Sequence, residues 1–264
     1  MNLIETLIEL EPVFMQAGQI ACRMQSTAKH HNKTNTGLNV VDIVTEADLA
    51  VQEFLLGEMV KTDLVNCRLL AEEDTPLVSK FTGTNGYYLA IDPIDGTAIY
   101  ARGGKFFNVI VSLHDGKNLL YTFKHFPVLD WTIKIIKNTY STVGIQPKFE
   151  STLAEKNAVL YYKGNPKTAL GDIYKELTDK GIKFINWGNS MDDADEQSMF
   201  ILKQTAGFYA EDLNVYDATV ALHAAKALNR KIYSGGPNGH LDFTNIQKRK
   251  TGFYYPGYYL ALNQ

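Results

Sequence analysis

The stretch Tyr87-Tyr88-Leu89-Ala90-Ile91-Asp92-Pro93-Ile94-Asp95-Gly96-Thr97 constrains this chain more than any other. Its first five residues are apolar and aromatic, and turn residues bound them, which predicts a short buried strand. The strand is expected to stop where the acids begin. Pro93 cannot donate to a sheet ladder and biases Asp92 toward extended backbone, and Gly96 permits a turn closed to other residues. Asp92 and Asp95 then project from the carboxyl end of a strand. Two carboxylates three residues apart repel each other unless something positive lies between them, and a divalent metal is the economical answer. Oxygen donors suit magnesium, manganese or calcium rather than zinc. If Gly96 and Thr97 open a helix, their N–H groups face an anion, and the combination points to a phosphate.

The remaining chain supplies a body for such a site. Its 264 residues are 45% hydrophobic, enough for one large domain or two smaller ones sharing an interface. A net charge of −3 argues against a broad surface for nucleic acid polymers or anionic membranes, so any phosphate affinity is local. Met1-Asn2-Leu3-Ile4-Glu5 lacks the basic start and apolar block of a signal peptide, and no apolar run approaches the roughly 18 residues that span a bilayer, so a cytoplasmic location is expected. Cys22 and Cys67 read as reduced core thiols.

Residues 2 to about 26 show helical spacing of Leu3, Leu7, Leu10, Phe14 and Ile20, with a break or kink expected at Pro12. The polar segment from His30-His31 to Gly37 reads as a mobile loop. Val40 to Val44 reads as a strand, and Thr45-Glu46-Ala47-Asp48 opens a helix to about Met59. There Thr45 and Asp48 imitate a capping box, which is what Asp48 signifies taken alone. Cys67 to Ala71 reads as a strand ending in Glu72-Glu73-Asp74, close enough in sequence to the Asp92–Asp95 strand end for neighbouring strands to pool carboxylates. Phe106–Leu113, Leu119–Phe123 and Trp131–Ile136 read as an antiparallel meander, with Asp115-Gly116-Lys117 as a hairpin. From Ala158 the pattern alternates: strand 158–162, helix 167–180, strand 182–187, helix 195–204, strand 207–210 and helix 216–228, an α/β unit. The division falls near residues 145–152, giving parts 1–147 and 148–264. Asp217 starts the last of those helices, where an acid alone reads as a cap. The closing Phe253 to Tyr259 reads as tyrosines packed at a chain end.

Ile91-Asp92-Pro93-Ile94-Asp95-Gly96-Thr97, with Glu72-Glu73 upstream, Tyr216-Asp217-Ala218 downstream and Val41 to Asp48 before them, resembles the inositol monophosphatase family. These are magnesium-dependent, lithium-sensitive phosphatases, in a superfamily with fructose-1,6-bisphosphatases and bisphosphate nucleotidases. The resemblance implies a layered αβαβα sandwich, with an α+β half and an α/β half facing each other across the site. It makes Glu72, Asp92 and the Ile94 carbonyl ligands of one magnesium, and Asp92, Asp95 and Asp217 ligands of a second. It makes Asp48 and Thr97 the pair that orients and deprotonates the attacking water, and Gly96 and Thr97 N–H groups the phosphate binders, with Ala98 beside them. Glu73 becomes a supporting residue.

The chemistry accounts for that many parts. Phosphate monoester hydrolysis needs accelerations of up to about 10²¹-fold, whereas general bases alone give about 10²–10⁴. Two ions supply the rest by acidifying a water and neutralising the phosphoryl group.

The substrate side departs from the family pattern. Tyr216 stands where Trp is usual, Ala98-Ile99-Tyr100 replaces Thr-Asn-Phe, and Asn189-Ser190-Met191 occupies the usual small-residue helix start. Glu211 is the nearest candidate for the substrate acid, and Lys33 lies upstream of the place that serves a third ion. The expected activity is magnesium-dependent hydrolysis, with two or three ions, of a small polyol, inositol or sugar phosphate, and the resemblance allows a homodimer. A 3′(2′),5′-bisphosphate nucleotidase, with Asn189 and the aromatic tail in a base pocket, is the alternative, and a catalytically silent phosphate-binding scaffold is the second.

Overall fold

The computed structural model describes residues 2–25, 30–32, 43–153, 155–188, 190–236, 243–250 and 252–263. It is a mixed α/β protein with two six-stranded mixed sheets. The chain forms two units, residues 1–137 with 141–147, and residues 138–140 with 148–264. No helix among the described residues is long and apolar enough to cross a membrane.

The first unit opens with α1 (Leu3–Glu9) and α2 (Glu11–Met24). The expected break occurs at Leu10, and Pro12 sits in the first turn of α2, where its missing N–H costs no helical bond. The segment expected to be a loop begins as a strand, β1 (His30–Asn32), which pairs antiparallel with β2 (Ile43–Thr45); the backbone ladder there overrides its polar composition. Residues 33–42, including Lys33 and Gly37, lie outside the described residues. After α3 (Glu46–Met59) come β3 (Arg68–Ala71), β4 (Tyr88–Asp95) and the short α4 (Thr97–Ala101). The meander follows as β5 (Asn108–His114), β6 (Leu119–Phe126), β7 (Trp131–Ile136) and β8 (Thr139–Val143). The sheet runs β3-β4-β5-β6-β7-β8, with β3 parallel to β4 and β4 to β7 antiparallel.

Alternation along the strands gives this sheet two unlike faces. Leu89, Ile91, Val109, Val111, Tyr121 and Phe123 join Phe14 of α2 and Val51 and Leu55 of α3 in one apolar core. Their neighbours, Asp92, Asn108, Ser112, Thr122 and Lys124, are buried and polar. The face turned away from the helices therefore carries the chemistry.

The second unit comprises β9 (Ala158–Tyr161), α5 (Pro166–Leu170), α6 (Asp172–Asp179), β10 (Lys183–Asn186), α7 (Glu196–Ile201), β11 (Gly207–Asn214), α8 (Thr219–Ala227), β12 (Lys231–Gly235), β13 (Gln247–Arg249) and β14 (Gly252–Leu262). The helix expected over 167–180 is two, split at Gly171, whose φ of 53° leaves the helical region. β10, β9 and β11 are parallel, as alternation requires, but β14 enters antiparallel between β11 and β12. The tyrosine-rich tail is thus an interior strand, with Tyr255 and Tyr259 fully buried.

Candidate metal centre

β4 does not stop at Ile91, as Pro93 had led us to expect; it continues to Asp95. The register explains how. Asp92 pairs with Ile110 and Asp95 with Asn108, so β4 spends one residue more than β5 between those rungs. That extra residue is a bulge, and a bulge accommodates a proline that a regular ladder would reject. It also changes which way Asp95 points. In a regular strand Asp92 and Asp95 would face opposite sides; the bulge returns Asp95 to the face of Asp92. A carboxylate oxygen of each lies within 4.8 Å of the other. Asp92 is 4% exposed and Asp95 half-buried.

β3 pairs with β4 only as far as Ala71 and Ile91. Just beyond, the Glu72 amide donates to the Ile91 carbonyl at 3.3 Å, which holds the partly buried Glu72 beside the start of the acid run. Glu73 is clamped by a residue the sequence did not single out: Gln52 of α3 accepts from the Glu73 N–H (3.0 Å) and donates to its carbonyl (2.7 Å). The same amide donates to the Thr75 hydroxyl at 3.1 Å. Spacing could have placed Gln52 on the buried face of α3, but not its partner.

Gly96 has φ +83° and is the N-cap of α4, and a Cβ there would find ordinary contacts at 3.6 Å, so glycine is demanded by conformation rather than by space. Thr97 opens α4, and its hydroxyl donates to the Ile94 carbonyl at 3.1 Å; Ala98 follows in the same turn. Asp48 lies buried in the first turn of α3. Burial, and then the Asp48 charge, hold the Tyr100 hydroxyl protonated far above the ordinary phenol range, and that hydroxyl donates to the Ala21 carbonyl at 2.9 Å. Asp95 gains two further donors that sequence reasoning missed: Asn108 Nδ2 at 2.9 Å and Lys124 Nζ at 3.1 Å, both on its Oδ2.

In the second unit Asp217 does not start a helix. It sits in a turn, its carbonyl accepts from the Val220 N–H at 3.0 Å, and α8 begins at Thr219 with no side-chain cap at Ala218. The reason lies with Tyr216, whose N–H is held by Asn214 Oδ1 (3.0 Å) and whose hydroxyl accepts from the Phe253 N–H (3.1 Å). Glu211 lies at the bulge of β11 with β14, where Oε2 accepts from the Asn165 N–H (2.8 Å) and the Tyr209 hydroxyl (2.7 Å). Asn189 lies outside the described residues.

A pair of carboxylates gathered by a bulge onto one face of a mixed sheet, followed by a left-handed glycine, is a candidate centre for a hard divalent cation. The donors are all oxygen, as magnesium prefers. The chain belongs to the inositol monophosphatase family, whose model matches residues 4–158. Inositol monophosphatase 2 of Rattus norvegicus is 33% identical over 99 residues, 38% of this chain; the match spans about a third (32%) of that protein's length. Among solved structures, a staphylococcal IMPase-I complexed with products is 16% identical, with a TM-score of 0.67 covering 100% of this chain and 92% of the other. An IMPase/NADP phosphatase complexed with Mg2+ and phosphate is 16% identical, with a TM-score of 0.63 covering 99% and 89%. At those identities the structural likeness bears on the fold.

Proposed function

We propose that this protein hydrolyses the phosphate monoester of a small polyol, an inositol or sugar phosphate, with magnesium. The observation that carries the reading is the convergence of Asp92 and Asp95 oxygens through the β4 bulge in a chain of this family. Glu72, Asp92 and the Ile94 carbonyl would hold one ion, and Asp92, Asp95 and Asp217 a second. Bound there, magnesium supplies charge neutralisation for the phosphoryl oxygens and acidifies a water.

The chain's own groups do the positioning. Asp48 would accept from the Thr97 hydroxyl, turned from the Ile94 carbonyl, and Thr97 would in turn accept the proton of the attacking water. The Gly96 and Thr97 N–H groups would hold the phosphate, with Ala98 as the adjoining wall and Glu211 and Asn189 contacting the polyol. We assign the protein to the cytoplasm, with Cys22 and Cys67 as free thiols, and sedimentation decides between a monomer and a homodimer. Likeness to an IMPase/NADP phosphatase supports a second reading, removal of phosphate from a nucleotide such as an adenosine 3′,5′-bisphosphate.

The test is a panel of inositol, sugar and adenosine phosphates with free phosphate as readout, run with magnesium, with EDTA and with lithium. Magnesium-dependent, lithium-inhibited release from inositol or sugar phosphates supports the proposal. Release from the adenosine bisphosphate alone moves it to the nucleotidase, and no release from any ester leaves the phosphate-binding scaffold.

A further inference from the structure

Lys124 is a full lysine with no exposed surface, on the same face of the first sheet as the acids. The rungs place it: Asp92 pairs with Ile110, and Ile110 with Lys124, so the three form one row across β4, β5 and β6. From that row its ammonium donates to Asp95 Oδ2 at 3.1 Å and lies 5.5 Å from the ring centroid of Phe126. Asn108 Nδ2 donates to the same oxygen, leaving Oδ1 as the less committed oxygen of Asp95.

We propose that Lys124 is a resident cation of the acidic centre, which neutralises Asp95 and weakens the second divalent site. This rests on the metal reading of Asp92 and Asp95 given above. An ammonium bonded to one oxygen of a carboxylate repels a doubly charged ion approaching the other, across a short distance in a poorly solvated place. Nor can the ammonium withdraw cheaply, because it has no exposed surface and leaving Asp95 breaks a buried pair. The second ion therefore binds more weakly in this protein than it would without the Lys124 charge beside Asp95.

The experiment counts ions rather than turnover. The full chain, stripped with EDTA and dialysed, is titrated calorimetrically with MgCl2, alongside Lys124→Met and Lys124→Gln, the latter keeping a hydrogen bond to Asp95 without the charge. The expected result is at least a tenfold gain in affinity for the second ion in both variants over the wild type. Folding of each variant is checked by circular dichroism, and Lys124→Gln decides if Lys124→Met does not fold. Variants that bind the second ion as the wild type does overturn the role of Lys124 and leave the metal centre standing. No magnesium binding in any protein overturns the metal centre, and this inference with it.

Discussion

Gln52 offers the sharpest test of how the strand end that carries Glu72 is held. It has no exposed surface, and its amide makes three hydrogen bonds, two of them to the backbone of Glu73. Gln52→Leu keeps the volume roughly constant and removes all three. The Glu73 N–H and carbonyl are then left in a buried place, at about 1–3 kcal/mol each. Greater burial of apolar surface by leucine returns about 1–2 kcal/mol. The net loss is about 3 kcal/mol, a fall of roughly 1–2 M in the urea midpoint. Urea denaturation followed by tryptophan fluorescence measures it, and exchange of the Glu73 amide, accelerated in the variant, localises it. Gln52→Glu refines the test, because a carboxylate still accepts from the Glu73 N–H but cannot donate to its carbonyl until it is protonated. Its deficit should therefore shrink as pH falls through the carboxyl range. A Gln52→Leu protein within 0.5 kcal/mol of wild type would refute the clamp.

Three further outcomes are expected. Asp95→Asn should cut phosphate release by at least 100-fold in the substrate panel while circular dichroism stays unchanged; near-normal turnover would remove Asp95 from the ligand set. Gly96→Ala should cost about 1–2 kcal/mol, because the φ of +83° penalises any Cβ even with room around it, and equilibrium unfolding reads that loss. Burial pushes the His114 imidazole down to about 4 despite the opposing charge of Asp115, and burial does the same to His125. A ring whose folded pKa is depressed contributes stability that is complete above its unfolded value and is lost as pH falls toward the folded one. Stability should thus decline from about pH 6.5 to 4, by about 3 kcal/mol for each ring, and His114→Gln should flatten that decline.

Much of the fold was legible because it is written locally. The Leu10 break follows from Pro12, the β5–β6 hairpin from Asp115-Gly116, and the parallel β10-β9-β11 core from alternation of strand and helix. What stayed hidden depends on register. Pro93 was expected to end its strand, yet it sits where β4 spends an extra residue against β5, Asp92/Ile110 to Asp95/Asn108, and Pro256 lies at a like shift of β14 against β11, Glu211/Tyr258 to Leu213/Tyr255. A bulge is a relation between two strands, so neither strand announces it. The same limit covers the donors to Asp95, since Asn108 and Lys124 acquire meaning only once rungs are counted across β5 and β6.

The substrate side is harder for a different reason. Asp92 and Asp95 are fixed by ladder bonds, so their chemistry follows from where strands pair, whereas Glu211 is engaged by a loop. Its Oε2 holds the Asn165 N–H at the start of α5 as well as the Tyr209 hydroxyl, and burial followed by the Glu211 contact keeps that hydroxyl protonated far above the ordinary phenol range. Glu211 thus orders the Gly164-Asn165 turn before it contacts any polyol. A substrate hydroxyl would have to use the other oxygen, Oε1, so that Glu211→Gln, which keeps one oxygen acceptor, separates the two duties. If Glu211 binds substrate, the variant raises KM for the preferred ester while thermal stability holds; if it only organises the turn, the retained oxygen still accepts from Asn165 and Tyr209 and neither KM nor stability moves.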